Sequence, residues 1–260
     1  MMRKDVIHSA GHRGTTADPQ QIERFDALAE EWWKPNGKFK IVHGFNAARV
    51  DLIIDALRPL SGNGGATGLP LNGLSIADIG CGVGIVAEFL QKAGADVVGI
   101  DASAQNIAIA RRHAQQADKP IDYQCALPEQ LAAEGKTFDA VVSLEVVEHV
   151  ADLQMFLDCT AALVRPGGRL IIGTINRTAR SWLLAIIAAE RVLGWLPRGT
   201  HDWARFVKPQ DTAVQLTRHG YSQTAHRGIA FNPLRWCWQP ADNTEVNYLQ
   251  VFDRAGRKNA

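Results

Sequence analysis

The segment Asp78-Ile-Gly-Cys-Gly-Val-Gly84 constrains this chain more than any other, because it sets three glycines at alternate positions between two apolar runs. Ser75-Ile-Ala-Asp-Ile79 has the short apolar character of a buried strand, and Ile85 to Gln91 begins an amphipathic helix. Gly80, Gly82 and Gly84 let the backbone turn tightly between them, so that a ligand can sit against bare backbone at a helix N-terminus. One helix-length later, Val97-Val98-Gly-Ile-Asp101 reads as the next strand. Asp101 ends it, 21 residues after Gly80, where a carboxylate accepts hydrogen bonds from both hydroxyls of a ribose. The two motifs together point to a nucleoside cofactor.

A dinucleotide fingerprint would place its third glycine at position 85, where this chain has Ile. A pyrophosphate is drawn to the positive end of a helix, whereas the methionine part of S-adenosylmethionine carries an ammonium, a sulfonium and one carboxylate. Asp78 suits those cations. The spacing favours S-adenosylmethionine over NAD.

The whole chain narrows the reading further. Its 260 residues show no compositional break, which implies one domain with decorations. Lys plus Arg number 28 against 27 for Asp plus Glu, so no basic field attracts nucleic acid, and polyanions are not expected as partners. Cys81, Cys125, Cys159 and Cys237 lie far apart with no Cys-x-x-Cys pair, which argues against a zinc site or a disulfide framework. A reducing cytoplasm fits. The N-terminal Met-Met-Arg-Lys-Asp-Val-Ile-His lacks the apolar core of a signal peptide, so export is not expected.

From residue 75 onward, apolar strands near 75–79, 95–100, 121–125, 138–144 and 169–175 alternate with helical periodicity near 84–93, 103–117 and 152–164. Such alternation predicts a parallel sheet covered on both faces. After Lys208 the pattern gives a helix to His219 and strands near 221–229 and 245–252, an antiparallel pair at the sheet edge. Gly62 to Gly73 reads as a connecting loop. The expected organisation is a helical cap over 1–60, a cofactor-binding core over 75–175, an apolar insertion over 177–207 and the rest of the sheet over 208–260.

With these residues in place the chain resembles the class I S-adenosylmethionine-dependent methyltransferases, and among them the O-methyltransferases of ubiquinone biosynthesis. The general part of the resemblance is Asp78 to Gly84, Asp101, Phe138 to Val150 and Arg165-Pro-Gly-Gly168. The specific part is Trp32-Trp33, Gly37-x-Phe39, His43, Asn46, Arg49, Asn176-Arg177, Ser181-Trp182, Gly199-Thr-His-Asp202 and Val246-Asn247-Tyr248. Asn46-Ala-Ala-Arg49 departs from the family, which usually has a proline after the asparagine; so does Arg191, where an aromatic residue is frequent.

The resemblance implies an α/β, Rossmann-like fold with a mostly parallel seven-stranded sheet, helices on both faces and an antiparallel last strand. It implies methyl transfer to phenolic oxygens of a polyprenylated ring at both O-methylation steps of the pathway, with S-adenosylhomocysteine as by-product. Other enzymes of that pathway are implied as partners. Arg49, Gly80, Asp101 and Leu144 match the family's cofactor-contacting positions, and Asp78, Gly82, Gly84 and Ala126 complete the expected cofactor site. Arg49 is a permanent cation able to hold a carboxylate by two hydrogen bonds.

Glu145, Glu148 and His149 follow the fourth strand at i, i+3 and i+4, and in a helical turn they would share one face. Two carboxylates and an imidazole suit Mg²⁺ or Mn²⁺. A Glu-His pair here also shapes the loop in methyltransferases that bind no metal, so the spacing alone leaves both readings open; the resemblance implies Mg²⁺. His149 is the candidate general base of a metal-free mechanism.

Ser181 to Leu196 is apolar apart from Glu190 and Arg191, too short and too charged to cross a bilayer. Flanked by Arg177, Arg180, Arg198 and Lys208, and with Trp182, Trp195 and Trp203 nearby, it reads either as a lid packed on the protein or as a peripheral contact with anionic membrane lipid. Phe25, Leu28, Trp32 and Trp33 form an apolar face at helical spacing, for which core packing is the expectation. Three rival functions remain at this level: methylation of another small acceptor, a cofactor- and lipid-binding scaffold subunit, and a nicotinamide dehydrogenase.

Overall fold

The computed structural model describes residues 14–34, 37, 39–61, 68–184 and 202–256. After two cap helices, α1 (Pro19–Asp26) and α2 (Lys40–Leu57), strands and helices alternate as β1 (Ser75–Ile79), α3 (Ile85–Lys92), β2 (Asp96–Asp101), α4 (Ala104–Gln116), β3 (Asp122–Cys125), α5 (Pro128–Ala133), β4 (Phe138–Leu144), α6 (Leu153–Ala162) and β5 (Val164–Ile175). The short α7 (Ala179–Ser181) follows, then α8 (Pro209–Arg218), β6 (Tyr221–Asn232), β7 (Cys237–Ala241) and β8 (Asn247–Arg254).

The strands form one sheet in the order β3-β2-β1-β4-β5-β8-β6-β7. The first five are parallel, and β8 enters antiparallel between β5 and β6. Side chains alternate across it. Ile76, Val142 and Ile171 join one buried cluster with α2, α3 and α4, while their neighbours Ala77, Val141 and Ile172 join a second with α5, α6 and α8. Burial on both faces is why the sequence of these strands reads as nearly continuous apolar runs.

The sheet has eight strands where seven were expected. The extra one, β7, pairs with β6 at the outer edge, with Pro240 opposite Ile229. A proline removes a ladder hydrogen bond and is tolerated only on such an edge, which hides the strand from its pattern. Trp238 fixes it from outside, donating from its indole to the Ile41 carbonyl at 3.1 Å and packing on Phe45. The 221–229 and 245–252 segments do pair antiparallel, but inside the sheet. Part of the glycine-rich connection is structural: Leu71 is fully buried and its N–H donates to Ala93 at 2.9 Å.

The strand order reverses between β1, which leads to β2 on one side, and β4 on the other. The crevice above the carboxyl ends of β1 and β4 is where open sheets of this kind bind ligands. The turn leaving β1 depends on absent side chains. Gly84 has φ +88°, and a Cβ there would lie 2.2 Å from the Tyr123 hydroxyl, which itself donates to the Gly84 carbonyl at 3.2 Å. Gly80 has φ +73°, and a Cβ would meet Val146 at 2.3 Å.

Gly84→Ala should therefore combine left-handed strain with overpacking and destabilise the fold by about 2–4 kcal/mol in urea unfolding. A loss below about 0.5 kcal/mol would show that the turn has room which this geometry denies.

Candidate active site

The turn after β1 is tied to the end of β2 by one carboxylate. Asp101 Oδ2 accepts from the Gly82 N–H at 2.9 Å, and Oδ1 accepts from the Ser103 N–H at 2.8 Å and the Asn106 amide at 3.3 Å. Gly80 and Cys81 donate to the Ile100 carbonyl at 2.8 and 2.9 Å. The glycine turn and the Asp101 carboxylate thus form one unit. Burial raises Asp101 above its ordinary carboxyl range despite these donors.

Above this unit lies a cleft of about 250 Å³. Of the residues singled out in the sequence, Arg49, Asp78, Gly80, Gly82, Asp101, Ala126, Leu144, Glu145 and His149 are on its wall. Gly84 shapes the turn from behind, and Glu148 lies beneath the surface, outside the main cleft. The cap supplies more than expected: Gln21 and Ile22 of α1 and the aromatic residues Phe25 and Trp32 also line the cleft. Two members of the apolar face read as core packing therefore belong to the site.

Arg49 is buried within α2 rather than at the surface. Its guanidinium donates to Glu145 Oε1 and to Asn46 Oδ1, and lies 4.2 Å from the centre of the Phe45 ring. Asn46-Ala-Ala-Arg49 runs within an unbroken helix, so the departure from the family's proline leaves Asn46 one turn before Arg49 and holding it. Burial lowers the Arg49 pKa, opposed by Glu145.

Asp78 is buried, and one of its oxygens has no hydrogen-bond partner. Burial, with Asp101 nearby, raises its pKa to about 7. A carboxyl so placed gains from a cation beside it. The ammonium and sulfonium of S-adenosylmethionine would supply that charge, Asp101 is placed where a ribose would meet it, and Arg49 is a cation that a carboxylate could approach. The wall fits this cofactor at both ends.

Glu145, Glu148 and His149 do not share one face. Residues at i, i+3 and i+4 align only in a helix, and Glu145, at φ +56°, leaves β4 in the left-handed region instead. Its carboxylate turns to Arg49. Glu148 is buried with both oxygens lacking a hydrogen-bond partner; burial and the neighbouring Glu145 hold its pKa well above the ordinary range. His149 faces α1, where Nδ1 lies 2.9 Å from Gln21 Oε1 and the ring packs edge-on against Phe25 at 4.9 Å. Among the described residues no three of His, Cys, Asp and Glu gather as a metal ion would require. The three-ligand expectation is corrected: the two carboxylates stay together and the imidazole leaves them.

The sequence reading gives Asn46 no role beyond the resemblance and does not reach Gln21; the two are neutral residues that hold Arg49 and His149. Their only sequence signal is one helical turn in the first case; the second contact spans 128 positions.

Because Asp78 titrates near pH 7 and a bound cation favours its ionised form, binding S-adenosylmethionine at pH 7 should release about half a proton. Affinity should rise as pH climbs through 7. Calorimetry in two buffers of different protonation enthalpy measures this, and Asp78→Asn should abolish it; no release from the wild-type protein would remove Asp78 from the cofactor site.

A family model described as a methyltransferase domain matches residues 77–172, the stretch from β1 to β5 that builds the cleft floor. A ubiquinone biosynthesis O-methyltransferase of Rhizobium rhizogenes is 45% identical over 242 residues, covering 93% of this chain and 98% of the relative. One of Cereibacter sphaeroides is 42% identical over 241 residues, covering 92% and 98%. Among solved structures, magnesium protoporphyrin IX methyltransferase from Synechocystis with bound S-adenosylhomocysteine shares the fold at a TM-score of 0.62 and 22% identity, covering 90% of this chain and 94% of that one. With relatives this similar along nearly their whole length, the chain belongs to the ubiquinone biosynthesis O-methyltransferase family and is an S-adenosylmethionine-dependent methyltransferase.

Proposed function

We propose that this enzyme methylates phenolic hydroxyls of polyprenylated ring intermediates, at both O-methylation steps of ubiquinone biosynthesis, and that His149 takes the proton from the acceptor oxygen. The observation that carries the second part is the position of His149 on the cofactor cleft, oriented by Gln21. With Gln21 Oε1 as acceptor, Nδ1 carries the ring proton and Nε2 keeps the lone pair that a general base needs. A phenol near pKa 10 is about three units above working pH, so forming its phenolate costs roughly 4 kcal/mol. The oxygen gives its proton to Nε2, its electron pair forms the O–CH₃ bond, and the S–CH₃ bond breaks to leave S-adenosylhomocysteine. A cationic sulfonium and an anionic oxygen neutralise each other in this step, which removal from water favours.

Glu145 and Glu148 would hold Mg²⁺ where it binds, since that ion commonly takes one or two carboxylates with waters and substrate oxygens. It would lower the pKa of the acceptor hydroxyl. Glu148, buried with two unpartnered oxygens, is the residue such a charge would suit.

Contact with the membrane is the second part of the proposal. No helix among the described residues is long and apolar enough to cross a bilayer. Residues 185–196 of the predicted segment lie outside the described residues. At its start, Trp182, Leu183 and Leu184 are exposed, and Trp203 is exposed where the chain returns, its indole donating to the Thr178 carbonyl at 3.0 Å. Exposed Trp and Leu at the rim of a site for a polyprenyl acceptor suit the headgroup boundary of a bilayer, where anionic lipid would meet the flanking arginines.

With a short-chain prenylated catechol as acceptor, His149→Ala should lower kcat on the order of 100- to 1,000-fold and leave S-adenosylmethionine affinity unchanged. Turnover within twofold of wild type would dismiss His149 as the base. If chelation abolishes turnover, Mg²⁺ restores it and Glu148→Gln prevents the restoration, the carboxylate pair is the metal site.

Leu183→Asp combined with Leu184→Asp should weaken sedimentation with phosphatidylglycerol vesicles and depress activity on vesicle-borne long-chain acceptor more than on a water-soluble analogue. Equal losses on both acceptors would mark the segment as a lid.

A further inference from the structure

The two peptide groups that flank His149 are held by one side chain. Arg205 Nε donates to the Glu148 carbonyl at 3.0 Å and Nη2 to the Val150 carbonyl at 3.1 Å. Its remaining arm, Nη1, donates to Asp18 Oδ2 at 2.9 Å. Asp18 is the N-cap of α1, where Oδ1 accepts from the N–H groups of Gln20 and Gln21 at 3.1 and 3.4 Å. The same Gln21 accepts from His149 Nδ1. A single planar guanidinium therefore reaches the imidazole by three routes: the carbonyl before it, the carbonyl after it, and the helix that carries its ring partner.

Arg205 is itself firmly placed. It ends the helical turn Trp203–Arg205, capped by Asp202, whose Oδ1 accepts from the Ala204 N–H at 3.0 Å. Trp203 ties that turn to Thr178, and a bridge between Asn176 and Val207 closes the base of the excursion that carries the apolar segment. Within the turn around His149 the backbone bond from the His149 N–H to the Val146 carbonyl is 2.8 Å, and just beyond it the Ala151 N–H donates to the Thr16 carbonyl at 3.0 Å. A fork with donors at fixed angles is suited to holding such a turn in a way that a point charge is not.

We propose that Arg205 is a positioning residue for methyl transfer: it fixes the 148–150 turn and α1 together, so that His149 presents Nε2 to the acceptor oxygen. The inference rests on the reading of His149 as the base. Arg205 makes no hydrogen bond to Gly80, Gly82, Asp101 or Arg49, so its loss should act on turnover and not on the cofactor.

Kinetics of the full-length chain with the short-chain prenylated catechol test it. Arg205→Met should lower kcat on the order of 10- to 100-fold, the scale of a misplaced catalytic group, with KM for the acceptor and Kd for S-adenosylmethionine within about threefold of wild type. Arg205→Lys should fall between the two. Millimolar guanidinium should restore part of the turnover of Arg205→Met and none of that of His149→Ala, and Arg205→Met should cost nothing further in the His149→Ala background. Should Arg205→Met not fold, Asp18→Asn and Arg205→Lys carry the test, each lowering kcat with cofactor affinity intact. A His149→Ala enzyme with normal turnover overturns the base and this inference with it. An inactive His149→Ala beside a normal Arg205→Met overturns the inference alone, as does an Arg205→Met enzyme whose KM and Kd rise with the fall in kcat or which guanidinium does not rescue.

Discussion

Burying charge around one crevice is the constraint from which the rest of this site follows. Asp78, Asp101, Glu148 and Arg49 are all withdrawn from water, and burial is the leading cause of every shift in their pKa values. An isolated buried charge is costly, so each such group either finds a partner or stays close to its neutral form. Asp101 takes the first course by accepting three hydrogen bonds, two from the backbone at 2.8 and 2.9 Å. Arg49 takes it with Glu145 and Asn46. Asp78 and Glu148 take the second. The cofactor carries two positive centres and one negative, and of the two it would meet Asp78, which lines the cleft, while Glu148 lies outside it.

What is legible in the sequence is what short-range pattern encodes. The glycine turn, Asp101 and the β1 to β5 strands are set by local periodicity and backbone freedom, and they stand where the pattern puts them. Arg49, however, is indistinguishable in isolation from a surface ion-pair residue; only the resemblance places it in the site, where it is buried. His149 went astray for a local reason. A helical turn after β4 would align it with Glu145 and Glu148, but Glu145 adopts positive φ as the strand ends and its N–H pairs with the Gly173 carbonyl at 2.8 Å, so the following side chains rotate out of helical register. Gln21 and Arg205 were beyond reach, since their contacts with the 148–150 turn cross 128 and up to 57 positions without any pattern of their own.

The sheet makes the same point. A parallel core buried on both faces is written in apolar runs, and β1 to β5 are read within a few residues. β7 is exposed at the edge, contains Pro240 and owes its place to Trp238 against α2, a contact made nearly 200 positions away in sequence: 197 between Trp238 and Ile41. Tertiary packing, rather than propensity, selects that strand.

The cap that completes the site is attached differently from the core it covers. None of the residues of α1 is buried, and the segment around it is held by polar contacts: Thr16 N–H to Glu129 at 3.0 Å, Asp26 to the Ser103 hydroxyl, and Asp18 to Arg205. Trp33 adds an indole bond of 2.9 Å to the Val83 carbonyl in the glycine turn and stacks on His113 of α4, with ring centres 3.5 Å apart. Hydrogen bonds of this kind contribute about 1 kcal/mol each, against a much larger sum for the apolar clusters of the sheet. Of the cap helices α1 is therefore the one that can open at low cost, since Val50, Ile53 and Leu57 of α2 belong to the core of the sheet. Since α1 carries Gln21 while Arg49 sits on α2, the contact to His149 is made by a more weakly held element than the guanidinium that lines the cleft.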